Sequence, residues 1–195
     1  VDYLEPKPED ECGVFGLWAP GEDVAKLTYF GLYALQHRGQ EAAGIAASDG
    51  EKIMVYKDLG LVSQVFDETS LSALRGHIAV GHVRYSTTGS TTWENAQPML
   101  GPVAEHTVAL AHNGNLTNTR ELMEYVREAS GQDISGELGR GSTTDTAVMA
   151  ALHSLTAKQH PELDLDEVAM LMLPQLKGAF SVTFMTEDTL YACHL

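Results

Sequence analysis

The sequence has few cysteines and few basic residues, and each shortage excludes a class of protein. Two of the 195 residues are cysteine, Cys12 and Cys193, which is too few for a framework of disulfide bonds. Lysine and arginine number 12 against 27 aspartates and glutamates, which gives a formal net charge of −15. Because nucleic-acid phosphates are bound by clustered basic side chains, we expect no nucleic-acid partner.

Long apolar runs and metal signatures are also missing. No run approaches the roughly 18 apolar residues of a membrane span, and the acidic N-terminus does not resemble a secretory signal. We therefore expect a cytoplasmic protein without membrane contact. The histidines match no zinc-binding spacing, and no glycine-rich phosphate loop is present, so we expect neither a metal nor a nucleotide site in this chain.

The sequence divides into a short leader and one domain. Residues 1–11, VDYLEPKPEDE, contain two prolines and five acidic residues without periodicity, as in a mobile segment. The rest of the chain, residues 12–195, is long enough and apolar enough for one domain with a sizeable core.

Hydrophobic periodicity and turn residues predict a mixture of hairpins and paired helices. Strands are expected from about Cys12, on both sides of Asp49-Gly50, in HIAVGHVRYS, in TVALAHNGNL and on both sides of TEDT near the C-terminus. Helices are expected from Val24, from Asn118, after a cap at Ser142 or Thr143, and from Asp164. Because strands and helices do not alternate regularly, the pattern favours an α+β layered fold.

Cys12, in ECGVFG, has two interpretations. It is either a small buried hydrophobe that opens a strand or a nucleophile. A nucleophilic thiol needs a base, and an α-amino group with a pKa of about 8 provides one only if cysteine is the first residue. The nucleophile hypothesis therefore implies that residues 1–11 are a propeptide, removed at the Glu11–Cys12 bond.

Arg84 and Asp145 also have two interpretations each. Arg84, in GHVRYST, is either a surface or ion-paired arginine or a planar group that binds a substrate carboxylate through two hydrogen bonds. Asp145, in GSTTDT, either interacts with the first turn of its own helix or accepts hydrogen bonds from a ligand ammonium group. Together the two side chains would suit the two charged ends of an α-amino acid.

The HNGN segment, residues 112–115, is typical of a simple tight turn. Such a turn can also direct the Asn113 side-chain amide and the Gly114 backbone N–H at one point. Two converging N–H donors are what an oxyanion hole requires.

Several separated stretches together resemble one family. They are CGVFG, LQHRGQEAAGI, GHVRYSTTG with ENAQP, and ALAHNGNLTN, followed by STTDT. Their order and spacing are similar to the glutaminase domain of the glutamine phosphoribosylpyrophosphate amidotransferases, over residues 12–192. These proteins are N-terminal-nucleophile hydrolases, so the resemblance implies a four-layer αββα sandwich, with two antiparallel sheets between helical layers.

The resemblance also assigns roles to residues. It implies that Cys12 is the nucleophile, that Asn113 and Gly114 are the oxyanion donors, and that Arg84 and Asp145 bind the carboxylate and ammonium groups of glutamine. It further places Thr87 in the glutamine pocket, and Arg38 and Gly39 in the His37–Gly39 segment that frames the nucleophile.

The implied activity is hydrolysis of the glutamine side-chain amide to glutamate and ammonia. In the family, a C-terminal phosphoribosyltransferase domain, absent from residues 1–195, uses the ammonia and phosphoribosylpyrophosphate to make phosphoribosylamine in the first step of de novo purine biosynthesis. The resemblance implies no cofactor in this chain. For a full-length enzyme it implies magnesium, a homo-oligomer and, in the branch with a leader of this length, an iron–sulfur cluster.

Two alternatives stay open at this point. One is the glutaminase domain of another amidotransferase, of which glucosamine-6-phosphate synthase is the nearest. The other is a glutamine-binding module that keeps its leader and never exposes the amino group of Cys12.

Overall fold

The structure is a computed structural model that describes residues 12–37, 40–85, 92–131, 142 and 144–194. The proposed leader, residues 1–11, lies outside these ranges. The domain boundary at Cys12 therefore stays a prediction.

The first of two sheets comes from the N-terminal half of the chain. Its strands are β1 (Gly13–Trp18), β2 (Gln40–Ser48), β3 (Ile53–Leu59) and β4 (Ile78–Tyr85), in the order β1-β4-β2-β3. All neighbouring strands are antiparallel. The predicted β2–β3 hairpin is confirmed, because Gly50 has a φ of +95° and the Asp49 carboxylate accepts the N–H groups of the two residues that follow Gly50.

The second sheet comes from the C-terminal half. Its strands are β5 (Met99–Val103), β6 (His106–Leu116), β7 (Gly178–Met185) and β8 (Leu190–His194), and they lie in sequence order. Each pair is again antiparallel.

Helices cover the outer face of each sheet. On the first sheet lie α1 (Val24–Leu35), α2 (Val62–Val65) and α3 (Glu68–Ala73). On the second sheet lie α4 (Thr119–Ser130), α5 (Asp145–Gln159) and α6 (Leu165–Met172). A third core, which includes Val80 and Ala111, joins the inner faces of the two sheets. The predicted α+β fold, an αββα sandwich with two antiparallel sheets between helical layers, is confirmed.

Two of the predicted helix caps differ in the structure. The cap of α5 is Thr144, whose hydroxyl accepts the N–H of Ala147, rather than Ser142 or Thr143. Asn118 does precede α4, but its side chain donates to the Gln175 carbonyl and accepts the Lys177 N–H. The asparagine amide therefore joins α4 to the segment before β7 instead of capping its own helix.

A buried histidine in α5 makes the stability of this fold sensitive to acid. His153 is 1% exposed, and its ring packs edge-on against Phe184. Neither ring nitrogen has a hydrogen-bond partner in the described part of the chain. Burial lowers the pKa of His153 from 6.5 to about 4. As the pH falls below 6.5, the unfolded chain therefore takes up a proton that the folded protein does not bind, and stability decreases.

We expect His153→Leu to weaken this pH dependence. Between pH 7 and pH 5, the free energy of unfolding of the variant should fall by about 1–2 kcal/mol less than that of the parent, from the linkage of one proton to unfolding. Urea denaturation at the two pH values measures the difference. His160→Leu, at a half-exposed histidine, is the control. Equal pH dependence in parent and His153→Leu would show that His153 does not cause the loss of stability in acid.

Candidate active site

Arg84 lies near the end of β4 and points between the two sheets. Ile78 and Val80 pack in the core between the sheets, and His82 and Arg84 follow them at intervals of two along the strand. Arg84 is 4% exposed, and its Nη1 atom lies 3.4 Å from Glu41 Oε2. The guanidinium is therefore a buried, ion-paired cation and not a surface group.

Cys12 lies immediately before β1 and contacts the last residue of β4. Its Sγ accepts the backbone N–H of Tyr85 at 3.3 Å and donates to the Tyr85 carbonyl at 3.5 Å. The Tyr85 hydroxyl donates to the His37 carbonyl at 3.2 Å and accepts the His37 N–H. The backbone beside Arg84 therefore holds the partly buried thiol, and the Tyr85 ring connects this point to the segment after α1.

The prediction of a turn at Asn113-Gly114 is wrong. β6 continues to Leu116, and Asn113 and Gly114 pair with Ser181 and Phe180 of β7. Gly114 has a φ of +125°, and a Cβ at this position would lie 2.3 Å from the Ala179 carbonyl oxygen. The glycine is therefore required inside the strand, where hydrogen bonding to β7 overrides the local preference of Asn-Gly for a turn.

Asp145 is the first residue of α5, as predicted, but its hydrogen bonds go to other elements. Oδ2 accepts the Leu116 N–H at 2.8 Å, and Oδ1 accepts the Thr119 hydroxyl at 2.5 Å. Since Leu116 ends β6, these contacts fix the carboxylate next to the strand that carries Asn113 and Gly114.

The structure places the described site residues at one end of the sandwich. Cys12 and Arg84 lie at the end of β4, and the other three lie at the end of β6. His82 Nε2 and the His112 carbonyl, 3.1 Å apart, join β4 to β6 at this end. Thr87, Arg38 and Gly39 lie outside the described residues, and their assignments stay predictions.

Sequence reasoning missed the side chains that hold these groups. Glu41, Tyr85 and Thr119 contact Arg84, Cys12 and Asp145 across 26 to 73 residues of sequence. Glu41 and Tyr85 stand within the quoted stretches LQHRGQEAAGI and GHVRYSTTG. Nothing in the local pattern distinguished them from ordinary strand residues.

Within the described ranges, no group of three or more His, Cys, Asp or Glu side chains could hold a metal ion. No helix in those ranges is long and apolar enough to cross a membrane.

The two antiparallel sheets between helical layers are the architecture of the N-terminal-nucleophile hydrolases. A solved structure described as "structure of the allosteric regulatory enzyme of purine biosynthesis" matches 93% of this chain and 37% of its own, with a TM-score of 0.77 and 39% identity. The Bacillus subtilis glutamine phosphoribosylpyrophosphate amidotransferase with ADP and GMP matches 93% of this chain and 36% of its own, with a TM-score of 0.75 and 38% identity.

Sequence comparison gives the family. The family described as "Glutamine amidotransferases class-II" matches residues 22–133. The chain is 58% identical over 187 residues to the amidophosphoribosyltransferase of Mycobacterium leprae. The aligned residues cover 95% of this chain and 33% of that relative. The chain belongs to the class-II glutamine amidotransferases, and the resemblance found in the sequence is confirmed. The chain spans about one third of the length of the curated relatives it matches.

Proposed function

We propose that this domain hydrolyses the side-chain amide of glutamine to glutamate and ammonia, with Cys12 as the nucleophile after residues 1–11 are removed. The observation that carries the proposal is the contact of the Cys12 thiol with the backbone of Tyr85, next to the buried Arg84. This contact supports the proposal, because the thiol lies against the backbone of the residue next to Arg84, a cation that suits the α-carboxylate of an amino acid.

The proposed reaction follows from the groups at the site. The Cys12 sulfur attacks the amide carbon, and its own α-amino group takes the thiol proton and passes it to the leaving ammonia. The negative charge that develops on the carbonyl oxygen is stabilised by the Asn113 amide and the Gly114 N–H. Water then hydrolyses the thioester and releases glutamate.

The same site accounts for the choice of an α-amino acid. Arg84 binds the α-carboxylate of glutamine, and Asp145 binds its α-ammonium group. Thr87 lines the pocket, and Arg38 and Gly39 frame the nucleophile. These side chains fix the substrate at one end, so that its amide reaches the sulfur.

The activity of the whole protein is a further part of the proposal. The curated relatives are named amidophosphoribosyltransferase. We infer that ammonia passes to a C-terminal phosphoribosyltransferase domain, which makes phosphoribosylamine from phosphoribosylpyrophosphate in purine biosynthesis. That protein is proposed to be a cytoplasmic homo-oligomer. In the described residues, no group of three or more His, Cys, Asp or Glu side chains could hold a metal ion, and the proposed hydrolysis uses neither magnesium nor an iron–sulfur cluster.

Removal of the leader should switch on glutamine hydrolysis. We expect a chain that begins at Cys12 to release glutamate from glutamine, and residues 1–195 with an intact leader to release none, because an internal amide cannot act as the base. Intact mass identifies each form, and a coupled assay measures glutamate. Equal activity of the two forms would rule out the α-amino group as the base. Glutamine binding without hydrolysis by the trimmed chain would favour a binding module.

Arg84→Lys should impair glutamine use without unfolding the domain. A lysine keeps the charge but loses the planar pair of donors, so we expect kcat/KM to fall about 10- to 100-fold, from the loss of one charged hydrogen bond. Arg120→Lys, at an exposed arginine of α4, is the control. An unchanged kcat/KM for Arg84→Lys would remove Arg84 from the substrate site.

Asn113→Ala tests the oxyanion donor. We expect kcat to fall about 100- to 1,000-fold, as for the loss of one such donor, with little change in KM. Asn118→Ala is the control, because the described side-chain hydrogen bonds of this asparagine join α4 to the segment before β7. A raised KM with normal kcat in Asn113→Ala would indicate a binding role instead.

A further inference from the structure

We propose that Gln97 and His82 are positioning residues for the oxyanion donors, because they hold the two backbone polar groups of His112. His112 directly precedes Asn113 in β6. The inference rests on the proposed function, in which Asn113 and Gly114 stabilise the oxyanion.

Both hydrogen bonds come from buried side chains on other parts of the chain. The His112 N–H donates to Gln97 Oε1 at 2.8 Å, and the His112 carbonyl accepts from His82 Nε2 at 3.1 Å. Gln97 is 6% exposed and His82 is 0% exposed. Gln97 lies before β5, whereas His82 lies in β4 of the opposite sheet, so the His112 backbone is held from two directions.

These side chains stand where a neighbouring strand would otherwise supply the hydrogen bonds. β5 first pairs with β6 at Met99, which lies opposite Leu110. In the described ranges, no strand pairs with β6 beyond Leu110 on this side. His112 is therefore past the end of the β5 ladder, and a buried backbone N–H or carbonyl without a partner would destabilise the fold.

The hydrogen bond to the carbonyl fixes the proton on His82. Since a carbonyl only accepts, Nε2 carries the proton and Nδ1 has none. Burial lowers the pKa of His82 to about 3, so the ring stays neutral at neutral pH. Nδ1 has no partner in the described part of the chain. A single directional hydrogen bond thus joins this neutral ring to the strand.

The position of the His112 backbone decides where the oxyanion donors point. The His112 carbonyl and the Asn113 N–H belong to one planar peptide unit, so His82 fixes the orientation of that plane. Gln97 fixes the preceding plane through the His112 N–H. A misplacement of about 1 Å at a catalytic group can cost about 100-fold in rate, so this support affects catalysis and not only stability.

Paired variants test the inference in the chain that begins at Cys12. Gln97→Met and His82→Leu remove one hydrogen bond each, whereas Gln97→Glu retains an acceptor oxygen and His82→Gln can retain a donor nitrogen. We expect the first two to lower kcat for glutamine hydrolysis about 10- to 100-fold, with KM changed less than about 3-fold. The conservative variants should recover most of the loss in kcat. Loss of kcat in all four variants alike would overturn the inference.

A matched control removes a similar bond far from the site. Ser48 Oγ donates to the Glu187 carbonyl, and this bond also joins the two sheets. Ser48 pairs with Ile78, at the opposite end of β4 from Arg84. Ser48→Ala should lower stability but leave kcat unchanged. If Ser48→Ala lowered kcat as strongly as Gln97→Met, the effect would come from general loosening of the sandwich.

Combination with Asn113→Ala tests whether the two residues act through the oxyanion donor. In that background, Gln97→Met should lower kcat by a smaller factor than it does in the parent, because one of the two donors that it helps to position is already gone and only the Gly114 N–H remains. Fully multiplicative effects would show that Gln97 does not act through the Asn113 amide.

Amide hydrogen exchange measured by NMR gives a result that does not depend on catalysis. Exchange at His112, Asn113 and Gly114 should be faster in Gln97→Met and His82→Leu than in the parent, and unchanged in Ser48→Ala. If the parent released no glutamate, the proposed function would fail, whereas the exchange rates would still test whether these side chains hold the strand. Unchanged exchange at all three amides would overturn the positioning role.

Discussion

The close packing of the two sheets is the constraint on which the candidate site depends. Cys12 and Arg84 belong to the first sheet, whereas Asn113, Gly114 and Asp145 belong to elements of the second. The core between the sheets contains Ala46, Ala109 and Ala111, whose small side chains let β2 and β4 approach β6. A larger side chain at one of these alanines would separate the halves of the site. The packing of the apolar interior thus sets the distance between the two halves of the site.

At that end, apolar packing gives way to polar contacts between buried groups. Along β4 the inward residues change from Ile78 and Val80 to His82 and then Arg84. Each polar group is compensated differently: His82 is neutral and hydrogen-bonded to the His112 carbonyl, and Arg84 is ion-paired with Glu41. Breaking one partner of a buried charge pair typically costs about 3–5 kcal/mol, so these contacts specify one arrangement of the strands. The contacts that compensate the buried polar groups therefore also fix the geometry of the site.

Elements encoded by local signals could be predicted from the sequence, and elements decided by distant partners could not. The Asp49-Gly50 hairpin and the cap of α6 at Asp164 depend on residues within a few positions of each other, and both predictions are confirmed. The short strand β5 was not predicted, because MLGPV contains a glycine and a proline and is a strand only through pairing with β6. At the site, the motifs in the sequence indicated the candidate residues. The bonds of Glu41, Thr119 and Gln97 to these motifs depend on the fold and leave no local signal.

The charges of the site suit a zwitterionic ligand for a physical reason. Arg84 and Glu41 form a pair of zero net charge, so the guanidinium is not an uncompensated buried cation before a substrate arrives. Asp145 is held by an N–H and a hydroxyl, two neutral donors that leave its negative charge in place. An α-amino acid adds one negative and one positive charge, and in the proposed binding mode each meets its opposite. The net charge buried at this end of the sandwich therefore does not change on binding. A simple carboxylate would instead add a second negative charge beside that of Asp145, with no ammonium group to offset it, which disfavours simple carboxylates relative to an α-amino acid.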